Sequence, residues 1–210
     1  IKLGHYNTPG WTYGVSVSGN YAYVAGTSEI SILDISDTDE PTPIGAYEIM
    51  DPARSIVING NYAYVTYYDT GSLHGGLLVL NISIPSTPTL VGSYDTSGSS
   101  YELSIVGNYA YIADGSSGLI IVNISDPANP EYTGSFNTPG SAYDVRLQGN
   151  YAFVADGSSG LQIINVSNKT NPTVSGFYNT GYEASGIYLS GNYAYVSDEY
   201  GLTILDVTNP

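Results

Sequence analysis

Gly19-Asn20-Tyr21-Ala22-Tyr23-Val24 recurs at residues 60–65, 107–112, 149–154 and 191–196, with Ile112 closing the third copy and Phe153 replacing the second Tyr of the fourth. Marked by Asn20, Asn61, Asn108, Asn150 and Asn192, the copies stand 41, 47, 42 and 42 residues apart, so a unit of about 42 residues tiles the chain. The fourth unit reads most clearly. Residues 143–148 alternate in polarity, Gly149-Asn150 turns, and residues 151–155 return. A two-residue Gly-Asn loop suits the hairpin turns that need positive φ, because Gly adopts it without a Cβ clash and Asn tolerates it. A third strand is predicted over residues 161–166 and a fourth over residues 173–178, after a Pro-containing loop.

Four short antiparallel strands repeated every 40 to 45 residues indicate a β-propeller whose units stack as blades around a channel. Stacking explains the nearly continuous apolar third strands at residues 30–33, 77–80, 119–122, 161–164 and 202–205, which neighbours cover on both faces. It also assigns nine of the 22 Tyr to repeated packing positions rather than to a recognition surface. Fourth strands are expected at residues 44–47, 90–94, 132–136 and 173–178, while the fifth unit lacks one. Residues 1–6, ending Gly4-His5-Tyr6, match residues 173–178, ending Gly176-Phe177-Tyr178. The expectation is therefore an all-β, single-domain, five-bladed propeller over residues 1–210, its last blade completed by the N-terminal strand. About three linking residues are missing from that junction, which leaves open a chain break, a fragment of a larger array, or a strand donated to the next molecule in a fibre.

Composition narrows the partners. With 4 Lys+Arg against 19 Asp+Glu, the formal net charge of −15 opposes binding to phosphate backbones, so nucleic acid is not expected. Cys is absent, which removes disulfides and thiolate metal sites. His5 and His74 have no partner at metal-ligand spacing, and neither a metal nor a cofactor is expected. Apolar runs fall far short of the ~18 to 20 residues that span a bilayer, so membrane insertion is not expected. The chain starts at Ile1, as a mature or trimmed product would. Asn81, Asn123, Asn165 and Asn168 stand in Asn-x-Ser/Thr sequons, relevant only where a glycosylation machinery is met.

The third strand and its exit, as in Leu33-Asp34-Ile35-Ser36-Asp37, Val122-Asn123-Ile124-Ser125-Asp126 and Leu205-Asp206-Val207-Thr208, resemble the LVIVD repeat of bacterial and archaeal surface proteins. The Tyr-Ile-Ala-Asp-Gly and Phe-Val-Ala-Asp-Gly elements at residues 111–115 and 153–157 fit the same pattern. The resemblance spans all five units and implies a propeller in an exported or cell-surface protein, with no shared catalytic motif. Asn replaces Asp at 81, 123 and 165, which favours a turn-capping side chain over charge or metal at that point.

Function is expected in the loops where the copies differ. Aligning the crossovers into the first strands gathers Trp11, Tyr13, Asp51, Arg54, Tyr101, Glu102, Tyr143, Asp144, Tyr182 and Glu183 near the channel mouth. Aromatic planes with carboxylates and an Arg suit sugar or peptide recognition. The second unit carries about five extra residues, expected as an exposed loop insertion between its second and third strands within 67–76, where Tyr67, Tyr68 and His74 are further candidates. Asp114, Asp156 and Asp198 share one repeat position, each offering a single carboxylate, which fits turn stabilisation better than calcium binding. Three function classes follow. The first is a non-catalytic extracellular or cell-surface binding or adhesion module for a glycan or protein. The second is a structural subunit of a surface layer or fibre, forming a homo-oligomer or filament. The third is a glycoside hydrolase using Glu102, Asp144 and Glu183, which would need two carboxyls about 5 to 9.5 Å apart.

Overall fold

A computed structural model describes residues 3–68, 71 and 74–210. The described residues form strands and turns without helix, in five antiparallel sheets. The first contains β1 (Thr12–Ser18), β2 (Tyr21–Gly26), β3 (Glu29–Asp34) and β4 (Thr42–Glu48). The second contains β5 (Ala53–Asn59), β6 (Tyr62–Tyr68), β7 (Gly75–Asn81) and β8 (Thr89–Thr96). The third contains β9 (Leu103–Val106), β10 (Tyr109–Ala113), β11 (Leu119–Asn123) and β12 (Glu131–Phe136). The fourth contains β13 (Asp144–Gln148), β14 (Tyr151–Ala155), β15 (Leu161–Asn165) and β16 (Thr173–Tyr178). The fifth contains β17 (Gly186–Ser190), β18 (Tyr193–Asp198) and β19 (Gly201–Asp206). Strand order within each sheet follows the chain, and the first strands pack in series, β1 on β5, β5 on β9, β9 on β13 and β13 on β17. The fold is β-propeller-like.

Every Gly-Asn pair is the hairpin turn that the repeat predicts, with Gly19, Gly60, Gly107, Gly149 and Gly191 at φ between 56° and 60°. Each third strand exits through the same side-chain cap. The Oδ1 atoms of Asp34, Asn81, Asn123, Asn165 and Asp206 accept from the backbone N–H two residues on, at 2.8 to 2.9 Å. Asn and Asp serve equally there because only an acceptor oxygen is needed.

Stacking buries the repeat. Tyr111, Ala113, Leu119 and Ile121 of the third sheet meet Ala142, Val145, Ala152, Val154, Ile164 and Val166 of the fourth, and equivalent residues form the other three junctions. Fourth strands lie across the Pro loop of the next unit. A methyl group on Gly45, Gly92 or Gly134 would strike the carbonyl oxygen of Pro85, Pro127 or Lys169 respectively. Gly149 faces open space, so Gly149→Ala meets only the φ penalty, about 1 kcal/mol. Gly134→Ala adds a backbone collision and is expected to cost at least about 2 kcal/mol, and urea melts of the two variants compare these costs directly.

Two expectations change. Among the described residues the fifth sheet has three strands and residues 3–8 form none, so residues 3–6 do not complete the last blade as expected; Ile1 and Lys2 of the expected strand lie outside the described residues. Gly4 instead stands against the Thr38 carbonyl and Pro41 of the first unit, the position a preceding unit's fourth strand takes. The extra residues of the second unit do not form a free loop throughout. Tyr67 pairs with Gly76 and Tyr68 with Gly75, so the insertion lengthens a hairpin, with Asp69, Thr70, Ser72 and Leu73 outside the described residues.

Candidate binding site

The repeat generates the site by register. Counting seven residues back from each turn Asn gives Tyr13, Arg54, Tyr101, Tyr143 and Ser185, which with Glu102 and Glu183 line one cavity of about 340 Å³. Counting four back gives Ser16, Val57, Ser104, Arg146 and Tyr188, which lie in the adjoining cavity of about 500 Å³ between the first strands. Tyr101, Tyr143 and Ser185 stand one or two residues before β9, β13 and β17, so the first set lies at strand entries while the second lies within the strands.

Arg54 occupies the slot that Tyr fills in three other units. Its guanidinium carbon lies 4.1 Å from the Tyr13 ring centroid and 4.2 Å from that of Tyr68, a cation–π sandwich. Tyr101 stacks on Tyr68 at 6.3 Å and meets Tyr143 edge-on at 5.0 Å. The Arg54 Nε is buried without a hydrogen-bond partner among the described residues. A rigid aromatic wall results, with its cation already covered on two faces.

Beneath the rings, Glu102 accepts from Ser55 Oγ at 2.9 Å, and its Oε1 lies 3.4 Å from Arg146 Nη1. Asp144 Oδ2 accepts from the Ile187 N–H at 2.9 Å. Its Oδ1 stands 3.2 Å from the same Arg146 nitrogen, within ion-pair range but outside hydrogen-bond alignment. Burial, then the neighbouring Asp144 charge, pushes the Glu102 carboxyl above its ordinary value, and burial pushes Asp144 up likewise. Burial and the nearby Tyr143 also raise the Tyr101 phenol.

The remaining candidates divide. Tyr182 packs on Tyr200 at 4.3 Å and, like the exposed Trp11, is not among the residues lining the cup. Asp51 belongs to a separate cavity beside Tyr47, Met50 and Tyr67. Tyr67 donates to Asp95 Oδ1 at 2.7 Å, whereas His74 is exposed. Sequence reasoning missed Arg146, although it is the single charged residue in its repeat slot.

Asp114 and Asp156 are fully buried and clamp crossover loops. Asp114 accepts from Thr96 Oγ1 and Ser100 Oγ at 2.6 Å and from the Gly98 N–H at 2.9 Å. Asp156 accepts from Thr138 Oγ1 and, at 2.8 Å, from the Gly140 N–H. The shortened loop of the fifth unit turns Asp198 to the N–H groups of Tyr200 and Gly201 instead. These acids hold turns, as their spacing suggests.

A pH dependence follows. Burial raises Asp114, Asp144 and Asp156 above 3.8 and Glu102 above 4.5, so the folded chain holds more protons than the unfolded chain between those ordinary values and the raised ones. Stability therefore falls as pH rises through that window. Exposed Asp34, Asp126 and Asp206 act oppositely, their carboxyls lowered by side-chain hydrogen bonds, and their contribution is lost only below about pH 4. Thermal melts stepped upward from about pH 4.5 are expected to show Tm falling as the raised carboxyls ionise; a Tm that rises over that span contradicts this balance.

Comparison with known proteins agrees with the tiling. A family model described as LVIVD repeat matches residues 9–48, 52–96, 97–138, 139–180 and 181–210. A search of curated proteins returned no match.

Proposed function

The chain belongs to the LVIVD repeat family, and from that premise we propose that it is a non-catalytic binding module of an exported or cell-surface protein, taking a glycan or protein segment at the Tyr13–Arg54–Tyr101–Tyr143 cup. One observation carries this reading: the repeat positions that line the cup hold large aromatics and Arg in four units and Ser185 in the fifth, around a concave cavity of about 340 Å³. Rings present apolar faces to a sugar or side chain, while Glu102 and Glu183 supply acceptors at the wall. Glu102 and Asp144 both approach one Arg146 nitrogen, which places a cation where a glycosidase would seat its substrate and supports binding over hydrolysis.

The charge of −15 and the acidic wall favour neutral or basic ligands. On a mixed array, the intact chain is expected to retain neutral glycans or basic peptides and to pass over sulfated and phosphorylated ones. Retention of the anionic set alone would overturn the assignment.

A further inference from the structure

The two ends of the stack expose the two halves of an interface that the molecule already builds four times. On the leading side of each sheet, one first-strand residue enters the junction with the preceding sheet. Ile56, Leu103, Val145 and Ile187 do so at 0 to 4% exposure, whereas their counterpart Val15 is 67% exposed and its neighbour Val17 is 62% exposed. On the trailing side, Leu119 and Ile121 of the third sheet are fully buried under the fourth. Their counterparts in the fifth sheet, Leu202 and Ile204, are 61% and 56% exposed.

Backbone completes the match. The fifth sheet ends at β19, whose outer edge pairs with no fourth strand among the described residues, whereas β3, β7, β11 and β15 each pair with one. Residues 3–6 carry the sequence of a fourth strand. Gly4 already lies against the Thr38 carbonyl as Gly45, Gly92 and Gly134 lie against the equivalent loops. The first sheet thus holds a fourth-strand segment beside its leading face without the three strands it would join.

We infer that the leading face of the first sheet in one copy packs on the trailing face of the fifth sheet in a second copy, residues 3–6 adding to the free edge of β19. The occupant is a second copy because the two faces carry the same residue classes, at the same repeat positions, as the four internal junctions. Val15, Val17, Leu202 and Ile204 are uncharged, so the contact avoids the repulsion that a net charge of −15 imposes elsewhere. The interface is heterologous, head to tail, and extends in steps of one chain unless a closed ring forms. This inference stands independently of the ligand cup.

Light scattering coupled to size exclusion tests it with two variants, Val15→Asp/Val17→Asp and Leu202→Asp/Ile204→Asp. All four positions are exposed, so circular dichroism and thermal melts should show both variants folded. The unaltered chain is expected to gain mass with concentration and with salt, each variant alone to remain monomeric, and an equimolar mixture to form a 1:1 pair through the intact halves. A monomer at every concentration, as from closure within one chain, overturns the proposal. So does an assembly that survives both variants, or a mixture that stays monomeric.

Discussion

Replacing Asp114 with alanine is expected to cost about 3 kcal/mol, the upper end of the range for stranding buried hydrogen-bond donors. The carboxylate is fully buried and receives Thr96 Oγ1, Ser100 Oγ and the Gly98 N–H from the loop between β8 and β9. Burial disfavours its charged form, while these donors oppose that penalty. Alanine removes the acceptor that the Gly98 N–H and both hydroxyls share, leaving Thr96 Oγ1 with only Ser100 Oγ at 2.9 Å and the Gly98 carbonyl at 3.3 Å. Asp114→Asn keeps the shape yet turns an NH₂ toward a donor, and is expected to lose about 2 kcal/mol. Urea unfolding of both variants checks the order. A cost under about 1 kcal/mol for Asp114→Ala would show that the loop is held by its backbone alone.

The same isoleucine should carry unequal weight at two equivalent positions. Ile121 pairs with Tyr111 and Ile204 with Tyr195, so both occupy the same point of the third strand. Ile121 is fully buried between the third and fourth sheets, and Ile121→Ala is expected to cost about 3 to 4 kcal/mol through lost burial and an unfilled cavity. Ile204 has no sheet beyond it among the described residues and is 56% exposed, so Ile204→Ala at low protein concentration should cost no more than about 1 kcal/mol. Equal costs would mean that the trailing face is covered within the single chain.

Strands and turns were legible because the repeat states them five times over. Gly-Asn fixes each hairpin through positive φ, and the Asp or Asn after each third strand caps its own exit, regardless of the neighbouring sheet. Ring closure was less legible. Residues 1–6 look like a fourth strand because local alternation encodes strand character, whereas the partner edge depends on how far the stack curves, which no single unit records. The cup was half legible. Tyr13, Arg54, Tyr101 and Tyr143 share a repeat slot and converge, but Tyr182 was aligned three residues from Ser185, the true occupant of that slot in the fifth unit. A displacement of that size on a crossover moves a side chain off the cup, here onto Tyr200. Arg146, a lone Arg in an alternating strand, reads as a solvated residue from sequence, and only its position facing Glu102 and Asp144 gives it a role.

On the proposed function, recognition occupies the side-chain layer where the five copies differ, not the Tyr-rich strands where they agree. Array binding of the Tyr101→Ala/Tyr143→Ala variant tests it most directly, with Tyr132→Ala on β12 as the comparison, since Tyr132 is exposed on an outer strand. The expected result is at least about a tenfold loss of retained ligand for the paired cup variant and none for Tyr132→Ala, as befits removal of stacking worth over about 1.4 kcal/mol. Undiminished binding by the cup variant, or equal loss from Tyr132→Ala, would contradict the account.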